Sequence, residues 1–323
     1  MSDSFDCLIV GGGPAGLATA LAMGRANRTA LVVDSQQYRN QGAPAMHTVL
    51  SRDGTPPGEF RRLSQAQIEA KYPLISFRAE TVVAVAKTDD GGFTLTDSTG
   101  QVFRGRRLVL ATGTEDIMPD LEGYAANWPE HIYQCLLCDG LEQKHRPIGV
   151  LAFDHPAYLH LSFMALQLNT DLTIFTNGPR STDPAIAKGI ATVLAVPGTR
   201  IDERRIVRLV NNGPGADAGV TVEFETGPSV TLGFLVHRPA TRNRGQPLFD
   251  QLGLELTPGG EVKVDPVFLE SSVKGCIVAG DTMDGIKQVA IAQGAGVRAG
   301  AVVGLQLTNE AIAKAQSTLT ERR

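Results

Sequence analysis

The hydrophobic positions near the start of the chain follow the order strand, loop, helix, strand. An apolar run over residues 6–10 leads into a cluster of glycines, and an Ala- and Leu-rich stretch over 17–26 predicts a helix after it. A second apolar run over 29–33 ends at Asp34 and predicts the next strand. This order of elements is typical of a βαβ unit, the building block of parallel sheets.

Beyond this unit, the pattern changes to a loop, a helix and then short alternating runs. Residues 36–60 are rich in Gly and Pro and predict a long loop, and residues 61–72 predict a short helix. Apolar and polar residues alternate in brief runs over 75–105, with Asp-Asp-Gly-Gly and Ser-Thr-Gly at the turns. This alternation predicts an antiparallel meander, which is followed by a buried strand over 108–111.

A second α/β pattern begins near the middle of the chain. The predicted segments are a strand, a helix, a strand, a set of short strands, a further strand and a small-residue helix, in that order over 148–153, 157–168, 172–175, 193–235, 275–281 and 288–307. Two βαβ starts in one chain predict the α/β fold class with a duplicated nucleotide-binding unit.

Length and composition narrow the class of protein. The 323 residues allow two domains, and 42% hydrophobic with 20% charged residues excludes a disordered chain. The 30 basic and 34 acidic residues give a net charge of −4, which disfavours nucleic acid as a partner. The acidic N-terminus resembles no signal peptide, and no apolar run is long enough for a membrane span. We therefore expect an intracellular, cytoplasmic protein without a membrane partner.

The glycines after the first strand form a Gly11-x-Gly13-x-x-Gly16 pattern. The first glycine allows a tight turn, the second lets the backbone approach a pyrophosphate, and the third lets the helix pack closely on the strand. The helix N-terminus then faces the phosphates. Asp34 ends the following strand and is placed to bind a ribose. The loop therefore predicts a dinucleotide site, but it does not distinguish FAD from NAD.

The C-terminal part of the chain favours a flavin. Asp281 ends a predicted strand, and Lys287, Gln288 and Val289 open a predicted helix. An Asp at that strand end can bind a ribityl hydroxyl, and the helix N-terminus can face the negative end of an isoalloxazine ring. The alternative is that Asp281 is the N-cap of the helix.

Cys135 and Cys138 form a Cys-x-x-Cys pattern that is followed by Asp139. Two thiols at this spacing can form a disulfide, and a neighbouring carboxylate can move the proton that thiol exchange requires. A zinc site would need two more ligands, but Cys7 and Cys276 lie in apolar, strand-like runs and the histidines lack paired ligand spacing. We therefore expect no metal and favour a redox dithiol over two inert thiols. For Asp139, the alternative is an ordinary Asp-Gly turn.

Four motifs together resemble those of the low-molecular-weight thioredoxin reductase-type flavoproteins, namely 11–16, Ala111-Thr112-Gly113, 135–140 and 279–281. The resemblance implies an α/β fold of two Rossmann-like, doubly wound, three-layer domains, the first interrupted by the second. It implies an FAD-binding domain over 1–116 and 240–323, and a domain over 117–239 that carries the Cys-x-x-Cys. It also implies a homodimer.

The same resemblance assigns the residues that bind FAD. They belong to the glycine loop, the segment after the second strand, the meander, the strand end near residue 111 and the start of the C-terminal helix. These residues are Gly11, Gly13, Pro14, Ala15, Gly16, Asp34, Ser35, Asn40, His47, Val82, Ala111, Thr112, Gly113, Asp281, Lys287, Gln288 and Val289.

The second βαβ unit departs from that family at the place where a glycine loop would bind NADPH. The segment 152–156 contains no Gly-x-Gly-x-x-Gly pattern. We expect Phe153 and His155 to block the approach of a pyrophosphate to the backbone and Asp154 to repel it. Arg180 is an isolated basic residue where a cluster would bind a 2′-phosphate. The sequence therefore predicts a second domain that does not bind NADPH.

The combination of a dithiol and a flavin site without an NADPH loop is similar to that of the fungal dithiol oxidases of the gliotoxin-oxidase type. The segments 38–40, 46–47 and 52–57 also resemble this branch. This resemblance implies an oxidase that converts a small dithiol, such as a diketopiperazine dithiol, to a disulfide. O2 would accept the electrons and give H2O2. The substrate would attack Cys135, and Cys138 would reduce the flavin.

The group that moves protons is left open at this point. In that branch a His often follows the second cysteine, where this chain has Asp139. His131 and His145 flank the motif and are the alternatives, although we expect both to be surface residues. Two other hypotheses for the protein are a disulfide reductase fed by NADPH or ferredoxin, and a flavin-binding protein without catalysis.

Overall fold

The structure is a computed structural model that describes residues 4–321. Its strands are β1 Ser4–Val10, β2 Ala30–Val33, β3 Ile75–Arg78, β4 Val82–Lys87, β5 Phe93–Asp97, β6 Val102–Leu110, β7 Thr114–Asp116, β8 Ile132–Tyr133, β9 Ile148–Leu151, β10 Leu172–Phe175, β11 Thr199–Asp202, β12 Ile206–Asn211, β13 Val220–Phe224, β14 Val230–Leu232, β15 Phe234–Val236, β16 Thr241–Asn243 and β17 Cys276–Val278.

The helices occur between these strands and at the C-terminal end. They are α1 Pro14–Arg25, α2 Pro57–Lys71, α3 Tyr124–Asn127, α4 Leu136–Asp139, α5 Ala157–Leu166, α6 Pro184–Leu194, α7 Gln246–Leu252 and α8 Val289–Glu321, with a 3-10 turn over Leu141–Gln143. Within residues 4–321, none of the helices combines the length and the apolar character that crossing a membrane requires.

The chain forms two compact units. The first comprises the described residues up to 41, together with 57–115 and those from 241 onward, and the second comprises 42–56 and 116–240. The segment 42–56, which the sequence placed in the first domain, therefore packs with the unit that carries the Cys-x-x-Cys. This placement was not predictable from local pattern, because the contacts involved join residues far apart in the chain.

The first unit is built on a sheet with the strand order β3-β2-β1-β6-β5-β4, in which β17 also pairs with β6. Strand β6 joins two kinds of sheet. Its first half alternates exposed and buried residues and pairs antiparallel with β5. Its second half is continuously buried and pairs parallel with β1 and β17. The sequence predicted separate strands over 102–103 and 108–111, whereas the structure has one strand.

Helices α1 and α8 cover one face of this sheet and pack closely through small residues. A Cβ at Gly296 would lie 2.1 Å from the Ala15 carbonyl oxygen, and a Cβ at Gly300 would lie 2.5 Å from the Ala22 Cβ. The Thr19 hydroxyl donates to the Gly296 carbonyl at 3.1 Å. The small residues of the predicted C-terminal helix therefore serve helix–helix contact. The helix also continues beyond residue 307, where the prediction ended it.

The second unit contains a parallel sheet with the order β11-β10-β9-β15-β8 and an antiparallel sheet of β12, β13 and β14. Helix α6 lies in a region for which the sequence predicted no helix. Asp183 is its N-cap, and the carboxylate accepts the backbone N–H groups of Ala185 at 2.8 Å and Ile186 at 3.1 Å. The range 193–235, predicted to hold only short strands, therefore begins with the end of this helix.

Candidate functional site

Three loops of the first unit meet at the carboxyl ends of neighbouring parallel strands. Because β1 and β17 both pair with β6, the loops that follow these strands share one edge of the sheet. The Gly113 N–H donates to the Thr282 hydroxyl at 2.9 Å, which joins the loop after β6 to the loop after β17. The structure thus brings together the predicted cofactor segments 11–16 and 111–113 and the loop that carries Asp281, at the place where open α/β sheets bind ligands.

The three glycines of the first loop differ in what the fold requires at each position. Gly11 has a φ of +105°, and a Cβ there would lie 2.3 Å from the Ala111 carbonyl oxygen. A Cβ at Gly16 would lie 1.8 Å from the Gly11 carbonyl oxygen. Gly13, the N-cap of α1, has a φ of −72°, and no atom of the described chain lies within 4 Å of its Cβ position. Neither backbone nor packing requires glycine at 13, so the open space in front of α1 fits a bound phosphate group.

The segment after β2 carries three of the predicted cofactor residues: Asp34, Ser35 and Asn40. The Tyr38 hydroxyl donates to the Asp34 carboxylate, and burial and this hydrogen bond raise the pKa of Tyr38. Arg61 stacks on the Tyr38 ring at 3.7 Å and donates to Asn40 Oδ1 at 3.1 Å. The contacts of Arg61 with Tyr38 and Asn40 were not predicted from the sequence, because Arg61 lies in α2, far along the chain from Asp34.

The start of α8 is organised around the Lys287 ammonium group. It donates to the carbonyl oxygens of Asp281 at 3.1 Å and Asp284 at 2.8 Å, and burial lowers its pKa. Helix α8 begins only at Val289. The Gln288 carbonyl oxygen accepts a hydrogen bond from the Ala292 N–H in the first turn of the helix, at 2.9 Å. Asp281 is therefore too far from the helix to be its N-cap, so the alternative interpretation of this residue is wrong.

Two further predicted cofactor residues belong to other segments of the chain. Val82 opens β4 and packs against the hydrophobic core of the first unit. His47 belongs to the segment 42–56 of the second unit, where its ring contacts Asp53 and Glu142. The structure thus places His47 beside the residues that follow the Cys-x-x-Cys.

Cys135 and Cys138 form a disulfide at the start of α4. The backbone N–H groups of Cys138 and Asp139 both donate to the Cys135 carbonyl at 3.1 Å, which holds the motif in one turn. Cys7 and Cys276 are reduced and buried, and burial raises the pKa of Cys276 to about 12. These two thiols are therefore inert, and the described chain has its exchangeable sulfur atoms at 135 and 138.

Asp139 lies in a partly desolvated position beside the disulfide. Burial raises its pKa to about 6, while the charge of His47 lowers it and that of Glu142 raises it further. The histidines first considered are placed differently. His145 is exposed, as expected, but His131 is fully buried, with Nε2 3.0 Å from the Gly213 carbonyl oxygen. The expectation that His131 is a surface residue is wrong.

The imidazole of His47 lies between two carboxylates. Its Nδ1 is 3.3 Å from Asp53 Oδ2, and its Nε2 is 3.5 Å from Glu142 Oε1. Glu142 lies in the 3-10 turn directly after α4. His47 was predicted as a cofactor residue only from the family resemblance. Its contact with Glu142 was not predicted, because no local pattern links residue 47 to residue 142.

The loop between β9 and α5 differs from the glycine loop of the first unit. The Phe153 ring is buried and packs on Tyr158, so the expectation that Phe153 blocks the backbone is wrong. Asp154 and His155 are exposed at the loop surface. Nδ1 of His155 accepts the Ala157 N–H at 3.1 Å, so one backbone donor at the start of α5 is already used.

Two basic side chains lie near the next strand end in this unit, since Arg205 donates to the Asn177 carbonyl oxygen at 3.2 Å and Arg180 pairs with Glu203. Arg180 contacts Glu203 at 3.1 Å, so its charge is compensated by an acidic neighbour. A 2′-phosphate would have to displace this carboxylate to bind the guanidinium. The loop after β9 therefore presents the Asp154 carboxylate, and Arg180 in the loop after β10 is already paired with Glu203.

Comparison with known proteins gives matches over almost the whole chain. The family model of the pyridine nucleotide-disulphide oxidoreductases matches residues 5–296. Thioredoxin reductase tcpT of Claviceps purpurea is 39% identical over 311 residues, which cover 95% of each chain. Thioredoxin reductase sirT of Leptosphaeria maculans is 38% identical over 313 residues, which cover 94% of each. The crystal structure of an oxidoreductase from Agrobacterium tumefaciens matches with a TM-score of 0.83 and 31% identity, over 94% of this chain and 99% of that one.

These similarities confirm two predictions made from the sequence. The fold is the two-domain, Rossmann-like α/β fold of the thioredoxin reductase type. The motifs around the glycine loop and the Cys-x-x-Cys correctly indicated similarity to thioredoxin reductases. The chain belongs to the pyridine nucleotide-disulphide oxidoreductase family and is an oxidoreductase similar to thioredoxin reductases.

Proposed function

We propose that the protein is an FAD-dependent oxidase that converts a small-molecule dithiol to a disulfide, with O2 as the electron acceptor and H2O2 as the second product. One observation carries the proposal: the unit that holds the Cys135–Cys138 disulfide has a β9–α5 loop that lacks glycine and in which His155 Nδ1 already accepts the Ala157 N–H. A dithiol centre without an open nucleotide loop favours a thiol substrate, rather than NADPH, as the source of electrons.

The dinucleotide loop of the first unit fits FAD. The open space at Gly13 admits a pyrophosphate to the N-terminus of α1, and Asp34 lies at the adjacent strand end, where a ribose would follow. Asp281 and Lys287 lie at the same edge of the sheet and would contact the flavin half of the molecule. When bound, FAD would accept two electrons from the cysteine pair and pass them to O2.

The thiol exchange uses the disulfide of this chain. A substrate thiolate attacks Cys135 Sγ, which forms a mixed disulfide and releases Cys138 as a thiolate. The second substrate thiolate attacks the substrate sulfur of that mixed disulfide, which closes the substrate disulfide and releases Cys135. Two electrons pass from the substrate to the cysteine pair, and the substrate thiols lose two protons.

Asp139 is the base that we assign to the first of these protons. It lies on the same turn as Cys138, and its pKa of about 6 makes it a stronger base than an ordinary Asp while leaving it ionised at neutral pH. A thiol must lose its proton before it can attack a disulfide. A carboxylate at this position therefore raises the fraction of attacking thiolate.

A disulfide reductase is the second candidate function. The relatives named above are called thioredoxin reductases, and the family takes its name from pyridine nucleotides. Such an enzyme would run the same exchange in the opposite direction, with Cys138 and Cys135 reducing a disulfide. It would need electrons from NADPH or ferredoxin. The β9–α5 loop, in which His155 Nδ1 already accepts the Ala157 N–H, argues against NADPH.

Aerobic incubation with dithiothreitol, a small dithiol that closes to a cyclic disulfide, tests the proposal. We expect H2O2 and cyclic disulfide to form in equal amounts in the wild type, and neither to form with Cys135→Ser. Cys276→Ala, which changes a buried thiol away from the motif, is the control and should keep activity. Disulfide formation without O2 consumption, or no turnover at all, would contradict an oxidase.

Three further parts of the proposal concern partners and location. The substrate class, a diketopiperazine dithiol, and the homodimer both follow from the resemblance of the motifs, and the cytoplasmic location follows from the sequence. Sedimentation equilibrium would test the dimer, which should have twice the chain mass of 34.3 kDa. Competition between dithiothreitol and a diketopiperazine dithiol would test the substrate class.

A further inference from the structure

We propose that Tyr38 is a positioning residue for the adenosine ribose of the cofactor: its hydroxyl holds the Asp34 carboxylate in the orientation that accepts the ribose hydroxyls. The inference rests on the proposed FAD site, and it is independent of the direction of electron flow. Tyr38 acts through Asp34 on the binding of the cofactor and takes no part in the thiol exchange.

The carboxylate of Asp34 lies against the glycine loop. A Cβ at Gly12 would lie 2.5 Å from Asp34 Oδ2 and 2.6 Å from Asp34 Cγ, so the side chain occupies the space that a residue other than glycine would fill. The Asp34 N–H donates to the Arg78 carbonyl at 2.9 Å, which continues the pairing of β2 with β3. The sheet therefore fixes the backbone of Asp34, but its side-chain torsions need a further contact to be fixed.

Tyr38 supplies this contact. Its hydroxyl donates to Asp34 Oδ2, four residues earlier in the chain. Burial and this hydrogen bond raise the pKa of Tyr38, so the phenol keeps its proton and stays a donor at neutral pH. A carboxylate has about four acceptor sites on its two oxygen atoms. One bond from the phenol therefore orients the group and leaves acceptor sites for the two hydroxyls of a ribose.

The Tyr38 ring is itself held by residues from elsewhere in the first unit. The Arg61 guanidinium lies 3.7 Å from the centre of the ring and donates to Asn40 Oδ1 at 3.1 Å. On the other side of Tyr38 in the chain, Gln37 Oε1 accepts a hydrogen bond from Arg244 at 3.0 Å. Supporting contacts of this kind are what a residue that orients a binding group requires.

The alternative role for Tyr38 is packing alone, with the ring as a support for Arg61. The structure assigns the two contacts to different parts of the side chain, since the ring contacts Arg61 and the hydroxyl contacts Asp34. Tyr38→Phe removes the hydroxyl and keeps the ring. This substitution therefore separates positioning of Asp34 from packing.

Titration of the flavin-free, full-length protein with FAD, followed by flavin fluorescence, tests the inference. Tyr38→Phe should weaken FAD binding roughly tenfold, as expected for one lost hydrogen bond to a charged group. Asp34→Ala should weaken binding at least as much, and Tyr38→Phe should have no further effect when it is added to Asp34→Ala. Tyr72→Phe is the matched control and should bind FAD as the wild type does. Tyr72 is a half-buried tyrosine of the same unit that packs beside Gly24, near the other end of α1.

An analogue of the cofactor separates orientation of Asp34 from a general loosening of the site. FAD with 2′-deoxyadenosine in place of adenosine lacks one of the two ribose hydroxyls. The wild type should prefer FAD to this analogue, and Tyr38→Phe should narrow the preference, because a carboxylate that rotates freely distinguishes the two less well. An equal loss of affinity for both molecules, additive effects of the two substitutions, or unchanged FAD binding in Tyr38→Phe would overturn the inference.

The same titrations distinguish this inference from the proposed function. FAD binding that depends on the Tyr38 hydroxyl, in a protein without oxidase activity, would support the inference and contradict the oxidase. Oxidase activity with FAD binding that is indifferent to the hydroxyl would do the reverse. A wild-type protein that does not bind FAD would overturn both.

Discussion

At the scale of single residues, the burial of Asp139 lowers the stability of the folded protein at neutral pH and makes the carboxylate a stronger base. Its carboxyl group is partly buried, and its pKa of about 6 means that the folded protein holds a proton there more tightly than the unfolded chain does. An ordinary surface Asp would avoid this cost, but it would also be a weaker base. The sequence predicted the residue from its place after Cys138, but not its environment, because burial depends on the packing of the whole unit.

The first prediction is that Asp139→Asn stabilises the protein at neutral pH. Because the pKa of Asp139 is raised in the folded state, the contribution of this group to stability is fully present below about pH 4. That contribution is lost as pH rises through about 6. The neutral amide removes this loss, and for a partly buried group we expect about 1–2 kcal/mol at pH 7. Thermal unfolding of both proteins at pH 4 and pH 7 measures it. An equal difference at both pH values would contradict the electrostatic cause.

The second prediction concerns the two cysteines of the disulfide. Both Cys135→Ser and Cys138→Ser should stop turnover of dithiothreitol, with a loss of at least about 1,000-fold, since each removes one partner of the exchange. We further expect a long-wavelength charge-transfer band in Cys135→Ser, which leaves Cys138 as the thiolate facing the flavin. Absorption spectra of the flavin-loaded variants test this. A band in Cys138→Ser instead would reverse the assignment of the two sulfur atoms.

At the scale of elements, the sequence predicted what local pattern determines. The last four residues of β1 and all residues of β2, β9 and β10 are buried, and each of these strands was predicted. Strand β6 was divided in two because Arg104, Gly105 and Arg106 interrupt the apolar run. In the fold, both arginines point to the exposed side, and Gly105 fits against Leu8, where a Cβ would lie 2.6 Å from the Leu8 Cγ. Only the packed sheet shows that this glycine continues the strand.

The end of helix α8 and the packing of the β9–α5 loop also could not be predicted from local pattern. Helix α8 extends to Glu321 because the residues after 307 contain no Gly or Pro, although they are exposed and show no buried face. The β9–α5 loop was correctly expected to lack glycines, but the orientation of Phe153 was not predictable. Its ring turns into the core because Tyr158 and the space beside Gly189 receive it, which no local pattern reveals.

The third prediction separates the roles of two glycines in the β1–α1 loop. Gly13→Val should leave the fold intact, since no described atom lies within 4 Å of its Cβ position, but it should reduce bound FAD by at least about tenfold by filling the phosphate space. Gly16→Val should destabilise the protein itself, because its Cβ would collide with the Gly11 carbonyl oxygen. Flavin absorbance per chain and thermal unfolding of the apoproteins measure the two effects. A fully flavin-loaded Gly13→Val protein would contradict the site.

At the scale of the whole molecule, the candidate site could be predicted only in parts. The glycine loop and the Cys-x-x-Cys are local motifs, and both are visible in the sequence. The His47 contacts with Asp53 and Glu142 join the segment 42–56 to the turn after α4, more than 80 residues away in the chain. Such a contact leaves no mark on local periodicity. The electrostatic surroundings of the dithiol are therefore a property of the folded chain.

The last prediction concerns the source of electrons for the whole molecule. Anaerobic mixing of the FAD-loaded protein with excess NADPH should leave the flavin absorbance unchanged, because the loop after β9 has an exposed Asp154 and a helix start capped by His155. Each lost or unsatisfied phosphate contact costs about 1–3 kcal/mol, so binding should be weakened by several of these increments. Dithiothreitol should bleach the flavin under the same conditions, and air should restore the colour.

The NADPH experiment has a matched control within the chain. Arg180→Ala removes a basic residue of the loop after β10 that already contacts Glu203 at 3.1 Å, and it should change neither the NADPH result nor the dithiol result. Rapid bleaching by NADPH that Arg180→Ala abolishes would show that the nucleotide binds in this unit after all. The protein would then be a reductase, and the capped β9–α5 loop would have to open on binding. Bleaching by the dithiol alone would support the proposed oxidase, with a β9–α5 loop that lacks the glycines of a nucleotide site.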